Sequence, residues 1–575
     1  MEHDVTINGN SGDTAAMRNP ITGGVDLPGK GAARKFVNTK ELAIMMGDHV
    51  PDEDLPMLCL VNSYFNSMFS PRLYRHIRLN AKFLKPKTLA WVAGNQRFRH
   101  TKILSFDKAC RFDASKIDGY DAGDGPSEGP TLPEWLATHV QRTATDVVRN
   151  SPTLHTIITP IGSDKAVLIL NNGFNGNSKR SSTNLQSLTL NLDANPCREL
   201  SASIFRGHNL KSLCLTRIPT ASWRVGSLCQ ILVDSPELRY LKLSYLNGAE
   251  HQWELEEICK QYKQLGGTPL KLEVVIFGWG VNLKLPTTAV DVFAQASYLS
   301  LLTDPTVIQE MGIIAGRQTA WDTFDLSFFP NMNRFSLSAS THSVPMVRDF
   351  FALRKGRDFL SRVHFRVGGP LFTKYHEFRD MTRKLFIPYY LNEPTSTLNP
   401  MGFSFHSKLP LELVYQRSIA LPLPATRFLD ITIHYKHLVG ISGAGLSKMS
   451  ALECLSLNVY VYRISEWDDS RTVDENLLEA LGKAAKNCPN LRYVRIKMGA
   501  TGPVRAPIAG LSCSGEIVRE RRPRCRNLHP VFKLLDAATD KLLRPQCMWT
   551  EAEKRAQYVD EPLDELVLYK PLWMG

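Results

Sequence analysis

The feature that most limits the fold of this chain is a strand pattern, apolar-x-x-apolar-x-apolar, that returns along its length. Clear copies are "NLQSLTL" at 184–190, "NLKSLCL" at 209–215, "SPELRYLKL" at 235–243, "ALECLSL" at 451–457 and "CPNLRYVRI" at 488–496. In "SLCQILVDSPELRYLKL" an amphipathic helix and a Ser-Pro break come before the strand. Proline just past a helix stops it, and the alternation of the strand then turns its leucines to one face. The order helix, break, strand predicts a repeated α/β unit.

The spacing of the copies gives a period. The first apolar positions Leu185, Leu210, Leu238 and Leu272 are 25, 28 and 34 residues apart, within or just above the leucine-rich repeat period. The bare pattern also arises by chance about fifteen times in such a chain, so the preceding helix and break carry the interpretation. We predict an irregular leucine-rich-repeat solenoid over 81–500, with a non-repetitive α/β domain as the alternative. Weaker copies are "KLEVVIF" at 271, "NMNRFSL" at 331, "FLSRVHF" at 359 and "RFLDITI" at 427.

Composition excludes several classes of protein. With 43% hydrophobic and 22% charged residues, the chain has the composition of a soluble globular protein. It has no apolar run near the roughly eighteen residues that a membrane-spanning helix needs, and its polar, acidic start does not resemble a signal peptide. Eleven cysteines without a Cys-x-x-Cys pair suit a reducing compartment. We therefore expect a protein of the cytoplasm or nucleus, with no membrane partner.

Composition also changes along the chain. Residues 1–37 contain six glycines and few large apolar side chains, and such a segment cannot repay the entropy of ordering. We predict a disordered arm there, a helical module over 38–80, and a basic C-terminal section or cap over 501–575 after the solenoid.

Residues 38–80 predict three short helices. Asp54 is placed to cap the second helix, and Leu55, Leu58, Val61 and Phe65 then recur at three to four residue intervals, which gives one apolar stripe. Ser70 and Pro71 predict the start of a third helix that carries Leu73, Tyr74 and Ile77. About forty residues cannot bury this surface alone, so a partner should cover part of it. Packing of the helices on each other or on the solenoid is the alternative.

This segment resembles the F-box, particularly its fungal forms. Glu41 and Leu42 fall on the Glu-Ile pair of that motif, Asp54 and Leu55 on its Asp-Leu, and Leu60, Val61 and Phe65 on its Leu-Val-x-x-x-Phe. The closing Pro-x-Leu-Tyr-x-x-Ile is matched by Pro71, Leu73, Tyr74 and Ile77. The motif's opening Leu-Pro is replaced by Asn38 and Thr39.

The resemblance implies a function and a set of contact residues. In the family this module binds the Skp adaptor of a cullin-RING ubiquitin ligase, and a following leucine-rich domain holds the protein to be ubiquitinated. The resemblance thus implies an SCF-type substrate-recognition adaptor. The adaptor-binding residues it implies are Leu42, Leu55, Leu58, Val61, Phe65, Pro71, Leu73 and Tyr74.

A leucine-rich solenoid exposes the residues between its inward apolar positions on a concave face. Candidate substrate-binding residues at such positions are Lys211, Arg239, Tyr240, Lys242, Arg334, Arg362, Arg492, Tyr493 and Arg495, against the acidic Glu273, Asp430 and Glu453. This surplus of cations leads to the hypothesis that the target presents an acidic or phosphorylated segment. The alternative is a solvated face that mirrors the net charge of +13.

The sequence contains no signature of catalysis, a cofactor or a metal site. Cys513, Cys525, His529 and Cys547 follow each other at spacings of 12, 4 and 18 residues, which match no common zinc module. We therefore expect a non-enzymatic adaptor. The alternative function is a solenoid scaffold that binds nucleic acid or phosphorylated proteins without a ligase, supported by the net charge and by the arginines from Arg519 to Arg526. We do not expect nucleic acid to be the main partner.

Overall fold

The computed structural model describes part of the chain in two compact units, Met1–Asn209 and Leu210–Gly575. The described residues are 50, 54–61, 63–79, 96–106, 145–159, 164–175, 185–192, 199–206, 208–219, 223–245, 254–278, 298–315, 329–339, 364–368, 402–406, 426–434, 438, 442, 446, 449–461, 473–500, 512–521, 528–535, 539–540, 543–544 and 551–558. The predicted arm over 1–37 lies outside them.

The first unit has helices at its start and then short parallel strands. Its helices are α1 (Leu55–Val61), α2 (Ser63–Leu73) and α3 (Asp164–Asn175), with 3-10 turns at Gln96–His100 and Ala202–Ile204. Its strands are β1 (His76–Leu79), β2 (Ile103–Phe106), β3 (Thr156–Thr159) and β4 (Ser187–Asn191). Neighbours in the chain pair in parallel from β1 to β4.

The second unit has the same kind of arrangement. Its strands are β5 (Ser212–Ile218), β6 (Tyr240–Tyr245), β7 (Val274–Phe277), β8 (Glu310–Ala315), β9 (Arg334–Ala339), β10 (His364–Gly368), β11 (Gly402–His406), β12 (Phe428–His434), β13 (Cys454–Val461), β14 (Tyr493–Ala500), β15 (Ser512–Arg521) and β16 (Leu528–Leu534). Its helices are α4 (Val225–Val233), α5 (Leu255–Gln264), α6 (Val473–Asn487) and α7 (Glu551–Ala556). The strands pair in parallel and in chain order from β5 to β14, and β15 and β16 follow in antiparallel pairing. The mixed α/β class with a parallel sheet is confirmed.

The inward direction of the leucines is confirmed as well. Leu238, Leu241 and Leu243 of one copy are all 0% exposed. The corresponding buried triplets in other copies are Leu210, Leu213 and Leu215; Leu272, Val275 and Phe277; Leu452, Leu455 and Leu457; and Leu491, Val494 and Ile496. A copy that the sequence analysis did not single out, Ile308, Met311 and Ile313, is buried in the same way. We call this side of the strands the leucine face.

A repeated backbone arrangement sets the start of each strand. The carbonyl of Lys211 accepts the N–H groups of both Arg239 and Tyr240, and the carbonyl of Arg239 accepts those of Glu273 and Val274. The carbonyls of Glu273, Gln309, Arg427 and Glu453 in the second unit, and of Arg75, Lys102 and His155 in the first, each accept two successive N–H groups in the same way. Most of these acceptors directly follow the first apolar position of a copy. The shared position fixes the register from one copy to the next.

The Ser-Pro break also has a structural role. Ser235 and Ser151, each 0% exposed, donate their hydroxyl protons to the carbonyls of Ile231 at 2.8 Å and Val147 at 2.6 Å, four residues earlier. The hydroxyl thereby binds a carbonyl at the helix end, where no backbone donor is available. The same break therefore follows α4 in the second unit and the helical residues 145–150 in the first.

Two expectations from the sequence are wrong. The third helix expected from Ser70 and Pro71 does not form, because both residues lie within α2 and Ile77 lies in β1, where pairing with β2 and burial stabilise an extended chain. The repeat copies that the sequence pattern placed at 359 and 427 are also shifted relative to the register of the strands. Strand pairing puts Phe365 opposite Phe335 and Leu429 opposite Leu455, so the first position of the β12 copy is Thr426, a polar residue that the apolar pattern missed.

Candidate functional site

Helix α1 has one buried side. Leu55 is 1% exposed and Cys59 is 7% exposed, and both pack with Phe69 of α2. Val50, Leu58, Phe65, Met68 and Leu73 pack half-buried around this cluster. The two helices therefore share a small apolar core.

The other side of α1 is apolar and exposed. Met57, Leu60 and Val61 are 67%, 78% and 61% exposed, and their spacing of three and four residues places them on one face of the helix. We call these three residues the α1 face. An exposed apolar patch of this kind is typical of an interaction site. Covering it with a partner removes apolar surface from water, which lowers the free energy.

The implied adaptor-binding residues are therefore divided between two environments. Val61 and Pro71 are exposed, whereas Leu55 is in the core and cannot touch a partner directly. Tyr74 is also buried, with its ring edge-on to Phe98 at 6.3 Å between centroids. Leu42 lies outside the described residues. Sequence spacing identified the helix but assigned Leu55 to the wrong side of it, and Met57 and Leu60 were not among the predicted contact residues.

The side of the second-unit strands opposite the leucine face holds five of the predicted substrate-binding residues, namely Tyr240, Lys242, Arg334, Tyr493 and Arg495. Strand pairing aligns one residue per strand there: Ser212, Tyr240, Val274, Glu310, Arg334, His364, Gly402, Phe428, Cys454 and Tyr493. We call this line of residues the first row. Lys242 and Arg495 lie two residues further along their strands and point to the same side.

Two of the predicted cations are already paired with carboxylates. Arg334 is buried, with its Nε 3.4 Å from an oxygen of Glu310, and Arg239 donates to Glu273 at 3.0 Å. Lys211, Lys242 and Arg495 are half-buried, Arg492 is exposed, and Arg362 lies outside the described residues. The excess positive charge expected from the residue count is thus reduced by Glu273 and Glu310.

Tyr240 is not exposed as the sequence predicted. It is 0% exposed and packs with Cys214, Val274 and Tyr558, with 6.4 Å between the two tyrosine ring centroids. The Tyr558 hydroxyl donates to Glu273 at 3.3 Å. Burial and then the Glu273 carboxylate raise the pKa of Tyr558 well above its ordinary value. A residue far along the chain therefore covers the first row at β6 and β7.

Two more contacts bring the same part of the chain onto the first row. Lys554 of α7 forms a buried ion pair with Glu310 of β8. The Tyr493 hydroxyl of β14 donates to Asp540 at 2.6 Å, and burial followed by this hydrogen bond raises the pKa of Tyr493 well above its ordinary value. We call the described residues within 539–558 the C-terminal segment. No local pattern in the sequence predicts these contacts, because they join residues separated by up to several hundred positions.

Two pairs of polar side chains elsewhere on this side are hydrogen-bonded to each other. His364 and Ser404, both 1% exposed, have their Nε2 and Oγ atoms 2.6 Å apart, and Asp430 accepts a hydrogen bond from Asn458 at 3.0 Å. Burial keeps the serine and histidine of this pair away from solvent, so the pair satisfies polar groups in the interior of the protein.

Two of the buried cysteines are poor nucleophiles. Burial raises the pKa of the Cys229 and Cys488 thiols to about 12, so both stay protonated at neutral pH and lack the reactive thiolate form. Among the described residues, no group of His, Cys, Asp or Glu side chains is arranged to hold a metal ion. Cys513 lies near the start of β15, and His529 pairs with Glu520 near the end of that strand. The seven residues from Cys513 to Glu520 span roughly 23 Å, so Cys513 and His529 are not neighbours.

The basic cluster is partly structural. Arg519 donates to the carbonyls of Leu491 and Cys488 at 3.0 Å each, next to the end of α6. Arg521 is exposed, and Arg522, Arg524 and Arg526 lie outside the described residues. The cluster therefore contributes less to a phosphate-binding surface than its sequence indicates.

Comparisons with protein-family models and with curated proteins find no match to this chain. Within the described part of the chain, no helix has the length and apolar character that crossing a bilayer requires.

Proposed function

We propose that this protein is a non-enzymatic substrate-recognition adaptor of an SCF-type cullin-RING ubiquitin ligase. In this proposal, residues 38–80 form an F-box-like module that binds a Skp-family adaptor and, through it, the cullin. The parallel repeats that follow form an irregular leucine-rich solenoid that holds the target protein in the cytoplasm or nucleus. The protein acts by position: tethering the target raises its effective concentration near the ubiquitin-charged enzyme, and the partners perform the transfer chemistry.

The α1 face is the observation that carries the proposal. Leu55 and Cys59 anchor the helix on Phe69, and this leaves Met57, Leu60 and Val61 exposed on another side. Hydrophobic burial of about 25 cal/mol per Å² provides a driving force for a partner that covers these side chains. Leu60 and Val61 are also the Leu-Val pair of the F-box resemblance, so sequence and exposure support the same contact.

The repeated backbone arrangement supports the solenoid part of the proposal. Successive copies place the same carbonyl, the same buried triplet and the same strand start next to each other. Units of this kind stack by burying their leucine faces on their neighbours. Their other side is the one that would face a target, and Arg492 and Arg495 at β14 are the described cations best placed for an acidic or phosphorylated segment.

Affinity capture tests the proposal. The intact protein should bring down a Skp adaptor and a cullin from a cell lysate, whereas the full-length Leu60→Glu/Val61→Glu variant should not, because two carboxylates cannot be buried unpaired in an apolar contact. The matched control is Leu534→Glu, since Leu534 of β16 is 73% exposed and lies far from α1 in the sequence. That variant should capture both partners as well as the wild type does.

Substitution at exposed positions separates an effect on binding from an effect on folding. Leu55 is unsuitable for the test, because its loss removes core contacts and should lower the free energy of unfolding by about 2–5 kcal/mol. The two exposed substitutions should leave the thermal unfolding midpoint nearly unchanged. Undiminished capture by a folded Leu60→Glu/Val61→Glu variant would contradict the proposal.

A further inference from the structure

The C-terminal segment covers the first row at three separate places. Its Asp540 lies at Tyr493 of β14, its Lys554 at Glu310 of β8, and its Tyr558 at Tyr240 and Val274 of β6 and β7. Its direction along the first row is opposite to the order of the strands. Six strand spacings from β14 to β8 amount to roughly 29 Å, well within the roughly 48 Å that the fourteen residues from Asp540 to Lys554 can span when extended.

The charges of the segment complement those of the surface it covers. Its acidic group, Asp540, pairs with Arg544 of the same segment at 3.4 Å and lies at β14, where Arg495 is close enough for its charge to act on Tyr493. Its lysine pairs with Glu310 of β8, and its tyrosine ring packs on Tyr240 at a tilted angle while its hydroxyl donates to Glu273. The surface therefore favours a segment with a carboxylate at β14 and with a lysine and a tyrosine at β6 to β8.

The segment can leave without breaking the sheet. Within the described residues, it contributes no strand, and it follows β16, the last strand of the sheet. Helix α7 has only six residues, too few to be stable in isolation, so its helical form depends on the contacts with the first row.

The ion pair between Lys554 and Glu310 contributes more to specificity than to affinity. Lys554 and Glu310 both lose water when they meet, and this desolvation offsets much of their attraction. If Lys554 leaves, Glu310 keeps the guanidinium of Arg334 as a partner at 3.4 Å, so departure does not leave an isolated buried carboxylate. A second segment with the same groups can replace the first at little net change in free energy.

We propose that the first row at β6, β7, β8 and β14 is the target-binding surface and that the C-terminal segment occupies it there as an internal mimic of the target. The target is a protein segment that carries a carboxylate and, about fourteen residues later, a lysine followed four residues on by a tyrosine. Binding then requires displacement of the chain's own segment, which makes the free protein autoinhibited. The proposal deepens the proposed function, on which it rests for the identity of the bound partner as a ligase target.

Peptide binding to the full-length chain tests this directly. The probe is a fluorescein-labelled synthetic peptide of residues 539–558, and the proteins are the wild type and the Lys554→Gln/Tyr558→Ala variant, in which the attached segment is released and the sheet is unaltered. Fluorescence anisotropy should show at least about 10-fold tighter binding to the variant, because a surface occupied for nine-tenths of the time lowers apparent affinity by that factor. A peptide with the same two substitutions should not bind.

Equal affinity for the two proteins, or no binding to the variant, would overturn the proposal. Failure of the variant to fold would do so too, since the segment would then be a fixed part of the core. A measurement on the wild type adds an independent check: amide hydrogen exchange of residues 551–558 should proceed faster than that of β6 and β8, through local opening. Exchange as slow as that of those strands would contradict an exchangeable segment.

These results are distinguishable from failure of the proposed function. No Skp adaptor or cullin takes part in the peptide or exchange measurements, and neither Lys554 nor Tyr558 belongs to the α1 face. Loss of adaptor capture would therefore leave the peptide result standing, and a negative peptide result would leave the capture result standing.

Discussion

Arg519 connects β15 to the end of α6. Its guanidinium donates to the carbonyls of Cys488 and Leu491, a region where helix carbonyls lack backbone donors and a cation is favourable. Replacing it by glutamine in Arg519→Gln removes the charge and at least one of these bonds. We expect the free energy of unfolding, measured by urea denaturation, to fall by about 2 kcal/mol.

Arg521 provides the matched control on the same strand. It is exposed, so Arg521→Gln should change the free energy of unfolding by less than about 0.5 kcal/mol. Equal losses in the two variants would show that Arg519 has no special role at the helix end.

Gly402 is required by a close approach in the first row. A Cβ atom at this position would lie 2.1 Å from Nδ1 of His364, a ring that also contacts Ser404. Gly402→Ala must displace this buried ring, and we expect it to lower the free energy of unfolding by about 1–3 kcal/mol. Urea denaturation measures the change.

Gly482 is the corresponding control in a helix. A Cβ atom there meets nothing within 4 Å, and alanine favours the interior of α6 by up to about 1 kcal/mol over glycine. Gly482→Ala should therefore stabilise the protein. If Gly402→Ala proved neutral or stabilising as well, the packing of His364 on Gly402 would be refuted.

The C-terminal segment has a pH dependence that follows from Tyr558. Burial raises the pKa of this tyrosine above its ordinary value when the segment covers the first row, whereas in the released segment it titrates near pH 10. The free energy that holds the segment on the first row is therefore unchanged below about pH 10. It becomes less favourable as the pH rises from there toward the raised pKa of Tyr558. Subtracting the 295 nm absorbance titration of Tyr558→Phe from that of the wild type should give a midpoint above 10. A midpoint at or below 10 would mean that Tyr558 is solvated.

The region from α1 to β1 shows what local sequence patterns can and cannot decide. The apolar spacing after Asp54 predicted the helix correctly, since spacing reports amphipathic character. It did not predict which side is buried, because that depends on packing against Phe69 and its neighbours on α2. Ser70 and Pro71 resembled a helix start, yet Ile77 forms a strand because β2 provides the hydrogen bonds and the burial.

Across the whole chain, the sequence predicts the repeated unit better than the surface that the unit presents. The triplet Leu238, Leu241 and Leu243 is buried as expected, since the strand period alone determines that side. The exposure of Tyr240 was predicted wrongly, because its cover is Tyr558, more than three hundred residues away. Contacts at that distance depend on the tertiary fold, and neither period nor composition contains them.

Calorimetric titration of a purified Skp adaptor into the full-length protein tests the central claim most directly. We predict a one-to-one complex with a negative heat-capacity change from apolar burial, at least about 10-fold weaker for Leu60→Glu/Val61→Glu and unchanged for Leu534→Glu. A wild-type protein that takes up no adaptor, or a folded α1 variant that binds as tightly as the wild type, would contradict the account.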